Sequence, residues 1–374
     1  MKAIHMISGG DTGGAKTSVI TLLTGLQKLM TIKLICFVDA EFADFAREML
    51  IDVVVLQQKS RVDLSVLSEI TRIIHEEQFD VVNCHGARAN FLGAFLKKKI
   101  NIPMITTVHS DYTHDFDNSL YKKFVFTSLN RISLMKMDGY ITMAEKLKSD
   151  LIHKGFRKES IFVIYNGIPM TAPSHVIPKE EFLENYEVPY SGNNFYVGTA
   201  SRLHPIKGID VLLKAAKIVK TKNQKIKFLI AGNGDEKYEN KYKNYVKDHD
   251  LEDTVYFLGF VTEMDSFYQL LDINTITSHS EGLCYALLEG GKYSKPSIAS
   301  RVGGIPELIQ HEKSGLLFED NDIEVLVKYI MKIYSDKSFS RELGDGLYTR
   351  IEEGFSDIAM ANRYQEVYKK ILER

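Results

Sequence analysis

A chain of 374 residues is longer than one ordinary hydrophobic core organises and suits two domains. Its 44% apolar and 26% charged residues are those of a globular protein, and a formal net charge of −2 excludes a global pull toward nucleic acid or acidic lipid. Cys36, Cys84 and Cys284 are far apart and form no C-x-x-C pair, so neither a disulfide framework nor a zinc site is expected, and a reducing cytosol fits.

The N-terminus enters a strand pattern at once and is broken by Gly9-Gly10, too early for the apolar core of a signal peptide. No window has the apolar length of a membrane-spanning helix. The expected location is therefore the cytoplasm, with the protein free or lying on a membrane without crossing it. Short runs rich in β-branched residues follow at 3–7, 32–38, 53–56, 80–84, 104–108, 140–143 and 161–165. A second series lies at 195–199, 227–231, 255–258, 273–277, 297–300 and 316–318. Longer helical patterns separate them. Apolar runs without strict alternation read as strands buried on both faces, so each half is expected to be a parallel sheet covered by helices. The fold class is α/β, with two Rossmann-like doubly wound domains. Pro169, Pro173, Pro178, Pro189 and Gly192 mark 166–194 as the linker. The domains are placed at 1–170 and 171–355. In such domains ligands bind beyond the carboxyl ends of the strands, here in loops expected to face an interdomain cleft.

Motifs fall after strands. Ser8-Gly9-Gly10-Asp11-Thr12-Gly13-Gly14-Ala15-Lys16 opens a helix, and its four glycines let backbone approach a phosphate or sugar. Ala15 stands where a P-loop needs its last glycine. Asn83-Cys84-His85-Gly86-Ala87-Arg88 repeats the arrangement. Arginine in the first turn of a helix opposes the dipole, which points to an anionic ligand rather than to helix stability. His109 ends a third strand; a satisfied structural histidine and a catalytic one are both open readings there. Asp115-Phe116-Asp117 has the D-x-D form of a metal-diphosphate site, but lies in a polar stretch without further ligands; no metal is expected.

In the second half, Arg202 and Lys207 flank a turn containing Pro205, so their charges are expected to converge on one diphosphate. Leaving-group charge would be stabilised there. Ser278-His279-Ser280-Glu281-Gly282-Leu283-Cys284-Tyr285 then leads from a strand into a helical pattern over 283–293 that carries Glu289. The rise per residue predicts that Glu281 at the helix entrance and Glu289 two turns on lie up to roughly 12 Å apart. That is comparable to the span from sugar to ribose in a nucleoside diphosphate sugar. Leu283, Ala286, Leu287 and Leu288 mark the helix as mostly buried, which opposes a solvated glutamate face and demands partners for the carboxylates.

These residues resemble glycosyltransferase family 4, retaining enzymes of the GT-B fold. The likeness rests on Glu281 to Glu289 as E-x7-E and on Gly303-Gly304-Ile305-Pro306-Glu307-Leu308-Ile309. It extends to Arg202-Leu203 with Lys207-Gly208, to Ala231-Gly232-Asn233-Gly234, to Leu258-Gly259-Phe260 and to Tyr165-Asn166-Gly167-Ile168. It implies that Arg202 and Lys207 hold the donor diphosphate, Glu289 the ribose and Glu281 the donor sugar. Gly282, Leu283, Cys284 and Tyr285 would offer backbone N–H groups, with Gly232, Gly259 and Phe260 near the nucleotide. Gly13 and Gly14 would approach the phosphates, His109 the transferred sugar, and Arg88 and Asp111 the acceptor. It further implies front-face displacement without a metal or other cofactor, and a last helix (about 356–374) packed back on the first domain. Lys16 replaces the glutamate usual after Gly-Gly-Ala, and Cys284 a usual glycine or proline.

The expected activity is transfer of a hexose or N-acetylhexosamine from a UDP-sugar to a glycan or lipid-linked acceptor, as in cell-surface polysaccharide synthesis. The alternatives are a non-catalytic nucleotide-sugar-binding protein or a sugar-nucleotide epimerase. Nucleic acid is not an expected partner. Lys97-Lys98-Lys99, and Lys122 and Lys123 among aromatics with Arg131 and Lys136, fit either peripheral docking on the inner face of the plasma membrane or a solvated helix face.

Overall fold

The computed structural model describes residues 1–10, 14–109, 120–172 and 175–374, with side chains for all of these except 14, 15 and 120–126. All thirteen apolar runs form strands. Seven build one sheet: β1 (Lys2–Ile7), β2 (Thr31–Cys36), β3 (Val53–Val55), β4 (Val81–His85), β5 (Met104–Val108), β6 (Gly139–Thr142) and β7 (Ile161–Val163). Six build another: β8 (Phe195–Ala200), β9 (Ile226–Ala231), β10 (Val255–Gly259), β11 (Ile273–Ile276), β12 (Ser297–Ser300) and β13 (Leu316–Phe318). The orders are β3-β2-β1-β4-β5-β6-β7 and β10-β9-β8-β11-β12-β13, and the paired strands run parallel. Both sheets reverse their winding beside their first strand, which makes the carboxyl ends of β1 and β4, and of β8 and β11, the switch points.

Contacts separate the chain into two units, Met1–Pro169 with Ser356–Arg374, and Met170–Phe355. Within the first unit, the period of two along each strand sorts side chains between two cores. Ile4, Met6, Val82, Cys84 and Met104 pack with Ile70, Ile73 and Leu92 on one face. Ala3, Ile7, Val81 and Ile105 pack on the other, against Val19 and Leu23 of the Gly14–Leu26 helix and Met360, Tyr364 and Tyr368 of the Asp357–Leu372 helix. Both faces are covered, so the strands read as continuous apolar runs. By the same parity His5, Asn83, His85, Thr107 and His109 share the face that the last helix covers.

That helix is tied down at its start. The Ser356 hydroxyl accepts from the Ala359 N–H at 3.0 Å, and the Asp357 N–H donates to the Ile168 carbonyl at 2.9 Å. Lys28 pairs with Asp357 at 3.1 Å. In the second unit Phe228 and Ile230 enter one core and Leu229 and Ala231 the other. Among the described residues no helix is long and apolar enough to cross a membrane.

Candidate functional site

In the second unit, the loops after β8 and β11 meet at the switch point. Lys207 Nζ lies 2.7 Å from Glu281 Oε1, and the Ser278 hydroxyl donates to the same oxygen at 2.6 Å. Oε1 therefore carries both bonds, while Oε2 has no partner among the described residues. The Glu281 side chain is only 11% exposed and that of Lys207 22%. An ammonium has three donors and this one spends a single donor on Glu281, so the pair can hold a second anion without breaking.

Two glycines bring these loops together. Gly208 has φ +60°, and a Cβ there would lie 1.9 Å from the Thr277 carbonyl oxygen. Gly303 has φ +52°, and its Cβ would lie 1.8 Å from the Glu281 carbonyl oxygen. Only a residue without a side chain accepts both the left-handed backbone and the close approach. The Gly303-Gly304 segment thus holds the Glu281 backbone in a loop, and the helix begins only at Tyr285. The helical pattern from Leu283 therefore starts two residues later than its sequence suggests, Glu281 stands in the loop at the helix entrance, and the helical rise does not give its separation from Glu289. Leu287 and Leu288 are fully buried as the pattern predicts, whereas Leu283 and Ala286 are half-buried.

Glu289 sits within the Tyr285–Lys292 helix and accepts from the Tyr268 hydroxyl at 2.9 Å. Burial pushes its carboxyl above the ordinary range; Asp265 adds to this, while the Tyr268 hydrogen bond and Lys292 oppose it. Tyr268 is the partner that sequence reasoning missed. Arg202 is exposed and makes no ion pair among the described residues, whereas Lys207 is brought to Glu281. The His279 ring donates from Nδ1 to the Asp320 carboxylate at 2.7 Å and its backbone N–H donates to the Ile206 carbonyl at 2.8 Å, which fixes the loop next to Lys207. The Gly232 N–H donates to the Gly259 carbonyl at 2.7 Å, which sets the loops after β9 and β10 side by side. Phe260 next to them is 73% exposed. Gly282 is exposed, Cys284 is buried, and burial pushes its thiol up to about 12.

In the first unit the switch point holds Arg88. Its Nε donates to Gln58 Oε1 at 2.7 Å and its Nη1 to the Ser8 hydroxyl at 3.4 Å. Gln58 is buried and donates in turn to the Asp63 carbonyl at 2.5 Å. The guanidinium is thereby aimed along the carboxyl end of β1. Gly14 begins its helix directly beyond. Gly13 and Asp111, and the Asp115-Phe116-Asp117 stretch, lie outside the described residues.

His109 directly follows β5, in contact with a second histidine. His85 Nδ1 lies 3.1 Å from His109 Nε2, and His5 Nδ1 lies 3.0 Å from His85 Nε2. Burial pushes His109 down to about 4 and His5 to about 3, and His85 is lowered by burial and by the two rings beside it. All three rings are neutral at pH 7. None of this was legible beyond His109 itself. Among the described residues no group of His, Cys, Asp and Glu is arranged to hold a metal.

Comparison with known proteins agrees with this architecture. Residues 186–350 match the family described as Glycosyl transferases group 1, and residues 12–171 the one described as Glycosyltransferase Family 4. An uncharacterized glycosyltransferase of Methanocaldococcus jannaschii is 28% identical over 277 residues, covering 73% of this chain and 70% of its own. The UDP-Gal:alpha-D-GlcNAc-diphosphoundecaprenol alpha-1,3-galactosyltransferase of Escherichia coli is 24% identical over 311 residues, 82% of this chain and 79% of its own. A crystal structure of Anabaena HepE with UDP superposes with a TM-score of 0.77 at 20% identity, covering 99% of this chain and 100% of that one.

Proposed function

The chain belongs to the family 4 glycosyltransferases, and on that premise we propose that it moves a hexose or N-acetylhexosamine from a UDP-sugar to a glycan or lipid-linked acceptor with retention of configuration. The observation that carries this reading is the Glu281 carboxylate, whose Oε1 is held by Lys207 and Ser278 while Oε2 is left for a ligand hydroxyl. A half-buried carboxylate with one oxygen open accepts a strong hydrogen bond from a sugar. It would repel a phosphate, but Lys207 beside it keeps donors for one. As the anomeric carbon–phosphate bond breaks, negative charge grows on the leaving oxygen, and Lys207 with Arg202 compensates it. The acceptor hydroxyl attacks the same face of the anomeric carbon, and its proton passes to the leaving phosphate. No protein base is needed.

Glu289 takes the ribose hydroxyls; the Tyr268 hydroxyl engages one carboxylate oxygen and leaves the other. Phe260, exposed beside the Gly232 and Gly259 loops, offers a face to the nucleobase. Arg88 is aimed by Gln58 and Ser8 at an anionic group of the acceptor. The UDP preference is supported by the UDP-Gal in the Escherichia coli relative's name and by the UDP bound to Anabaena HepE. Peripheral membrane docking is supported by exposed Ile132 and Met135 beside Arg131 and Lys136. Flotation with anionic liposomes at low salt checks it, and a protein that stays at the bottom of the gradient refutes it.

A thermal-shift panel tests the donor. Ligands that bind only the folded state raise the melting temperature with occupancy. UDP and UDP-sugars should raise it and ADP- or GDP-sugars should not; the reverse pattern would overturn the assignment.

A further inference from the structure

The three histidines end a longer buried run of hydrogen bonds. The Asn83 side-chain amide donates to the Tyr368 hydroxyl at 2.8 Å, and Tyr368 meets His5 Nε2 at 3.3 Å. At the inner end the Thr107 hydroxyl donates to Asn83 Oδ1 at 3.1 Å and meets the Tyr364 hydroxyl at 3.3 Å. The order is therefore Tyr364, Thr107, Asn83, Tyr368, His5, His85, His109. Every member before His109 is buried, and His109 is partly open.

Such a run has a direction, because each hydroxyl and each neutral imidazole has one proton to give. If the run points outward, Tyr364 donates to Thr107, Thr107 to Asn83, Asn83 to Tyr368, Tyr368 to His5, His5 to His85 and His85 to His109. Each imidazole then carries its proton on Nδ1. If it points inward, every imidazole proton moves to Nε2; with the Asn83 amide as placed, Tyr368 then accepts from both Asn83 and His5 and its own buried proton is stranded, and with that amide turned over the Tyr364 hydroxyl must donate beyond the run. Tyr364 is fully buried and has no partner but Thr107 among the described residues, so the inward run strands a buried proton. The inner end thus selects the outward run.

We propose that this run is a positioning relay that holds His109 in the Nδ1–H tautomer, so that His109 presents an N–H donor to an oxygen of a bound sugar and does not act as a base. The assignment of a sugar oxygen as its target rests on the transferase reading above; the direction of the relay does not. His109 Nδ1 has no partner among the described residues, whereas Nε2 is taken by His85. His5, His85, Asn83, Thr107, Tyr364 and Tyr368 act through His109 and touch no ligand. The Asp357–Leu372 helix, which supplies both tyrosines, thereby sets the chemistry of a ring at the opposite end of the relay.

The test uses the ligand-free, full-length chain labelled with 15N-histidine, with long-range 1H–15N correlation and signals assigned through His5→Gln, His85→Gln and His109→Gln. Nδ1–H on all three rings is the expected result, and Nε2–H on His109 overturns the proposal. Wild type alone decides this, whatever the variants do. Tyr368→Phe cuts the relay, and His109 should then populate both tautomers. Tyr364→Phe should keep the wild-type tautomer, because Thr107 becomes the buried hydroxyl that needs an acceptor. With UDP-sugars as donors, kcat of Tyr368→Phe should fall in proportion to the Nδ1–H fraction lost while the donor KM stays within about twofold. An unchanged tautomer, or an unchanged kcat despite a shifted tautomer, refutes the positioning role. Absence of any turnover in the wild type would instead count against the transferase reading, and the tautomers would still report the relay.

Discussion

At the residue scale the account turns on Glu281 and Lys207. On the proposed reading Glu281→Ala removes the carboxylate that would face the sugar and frees Lys207, so kcat should drop by about 100-fold or more, the scale of losing one preorganised electrostatic partner. The far-ultraviolet circular dichroism should not change, because Glu281 lies outside the helices and strands and, among the described residues, its side chain bonds only Lys207 and Ser278. Retained turnover would show that the reaction does not use this loop. Lys207→Ala should fall at least as far, since the departing diphosphate then loses its compact cation. The E-x7-E spacing made both glutamates legible, but the Lys207–Glu281 pair joins residues 74 apart in sequence and needed the loops. Tyr268, Gln58, His5 and His85 were not legible for the same reason. Each looks like an ordinary strand, helix or loop residue until its neighbour, tens or hundreds of residues away, is placed beside it.

At the element scale, the thirteen strands were readable because parallel strands buried on both faces leave continuous apolar runs. The start of the Tyr285–Lys292 helix was not, because what delays it is a tertiary contact. Helical character begins in the sequence at Leu283, but Gly303 holds the Glu281 backbone against its own. This contact predicts a specific failure. Gly303→Ala places a Cβ where the Glu281 carbonyl oxygen lies, and in a left-handed conformation that costs alanine about 1–2 kcal/mol on its own. The Glu281 loop should shift, with kcat falling more than tenfold while the melting temperature falls by only a few degrees. A variant with normal activity and normal stability would mean that this loop contact does not position Glu281. The Asp357–Leu372 helix makes a second test. Its Met360, Ala361, Tyr364, Val367, Tyr368 and Ile371 belong to a core of the first unit. Truncation after Phe355 should therefore leave the first unit unable to fold and the protein insoluble; a soluble truncated chain with native circular dichroism would contradict that.

At the scale of the whole molecule, the neutral histidines His5 and His85, buried, and His109, partly open, give stability a pH dependence of known sign. Their folded values lie far below the ordinary value of about 6.5 that they recover on unfolding. His109 lies at about 4 and His5 at about 3. Below pH 6.5 the unfolded chain takes up protons that the folded one refuses, so stability is full above that pH and is lost as pH falls toward 4. The loss approaches about 1.4 kcal/mol per pH unit for each ring at most. The urea midpoint of the first unit should drop between pH 7 and 5, before carboxylates titrate, and a flat midpoint would contradict neutral burial.

The proposed reaction is transfer of a sugar from a UDP donor, with Glu281 at the reacting end. Acceptor-dependent release of UDP measures it most directly, with UDP-glucose, UDP-galactose and UDP-N-acetylglucosamine offered against lipid-linked and free glycan acceptors. The account predicts that at least one pair releases UDP only when the acceptor is present, gives an α-linked product from the α-linked donor, and fails with Glu281→Ala. UDP release that ignores the acceptor, a β-linked product, or full activity in Glu281→Ala would contradict it.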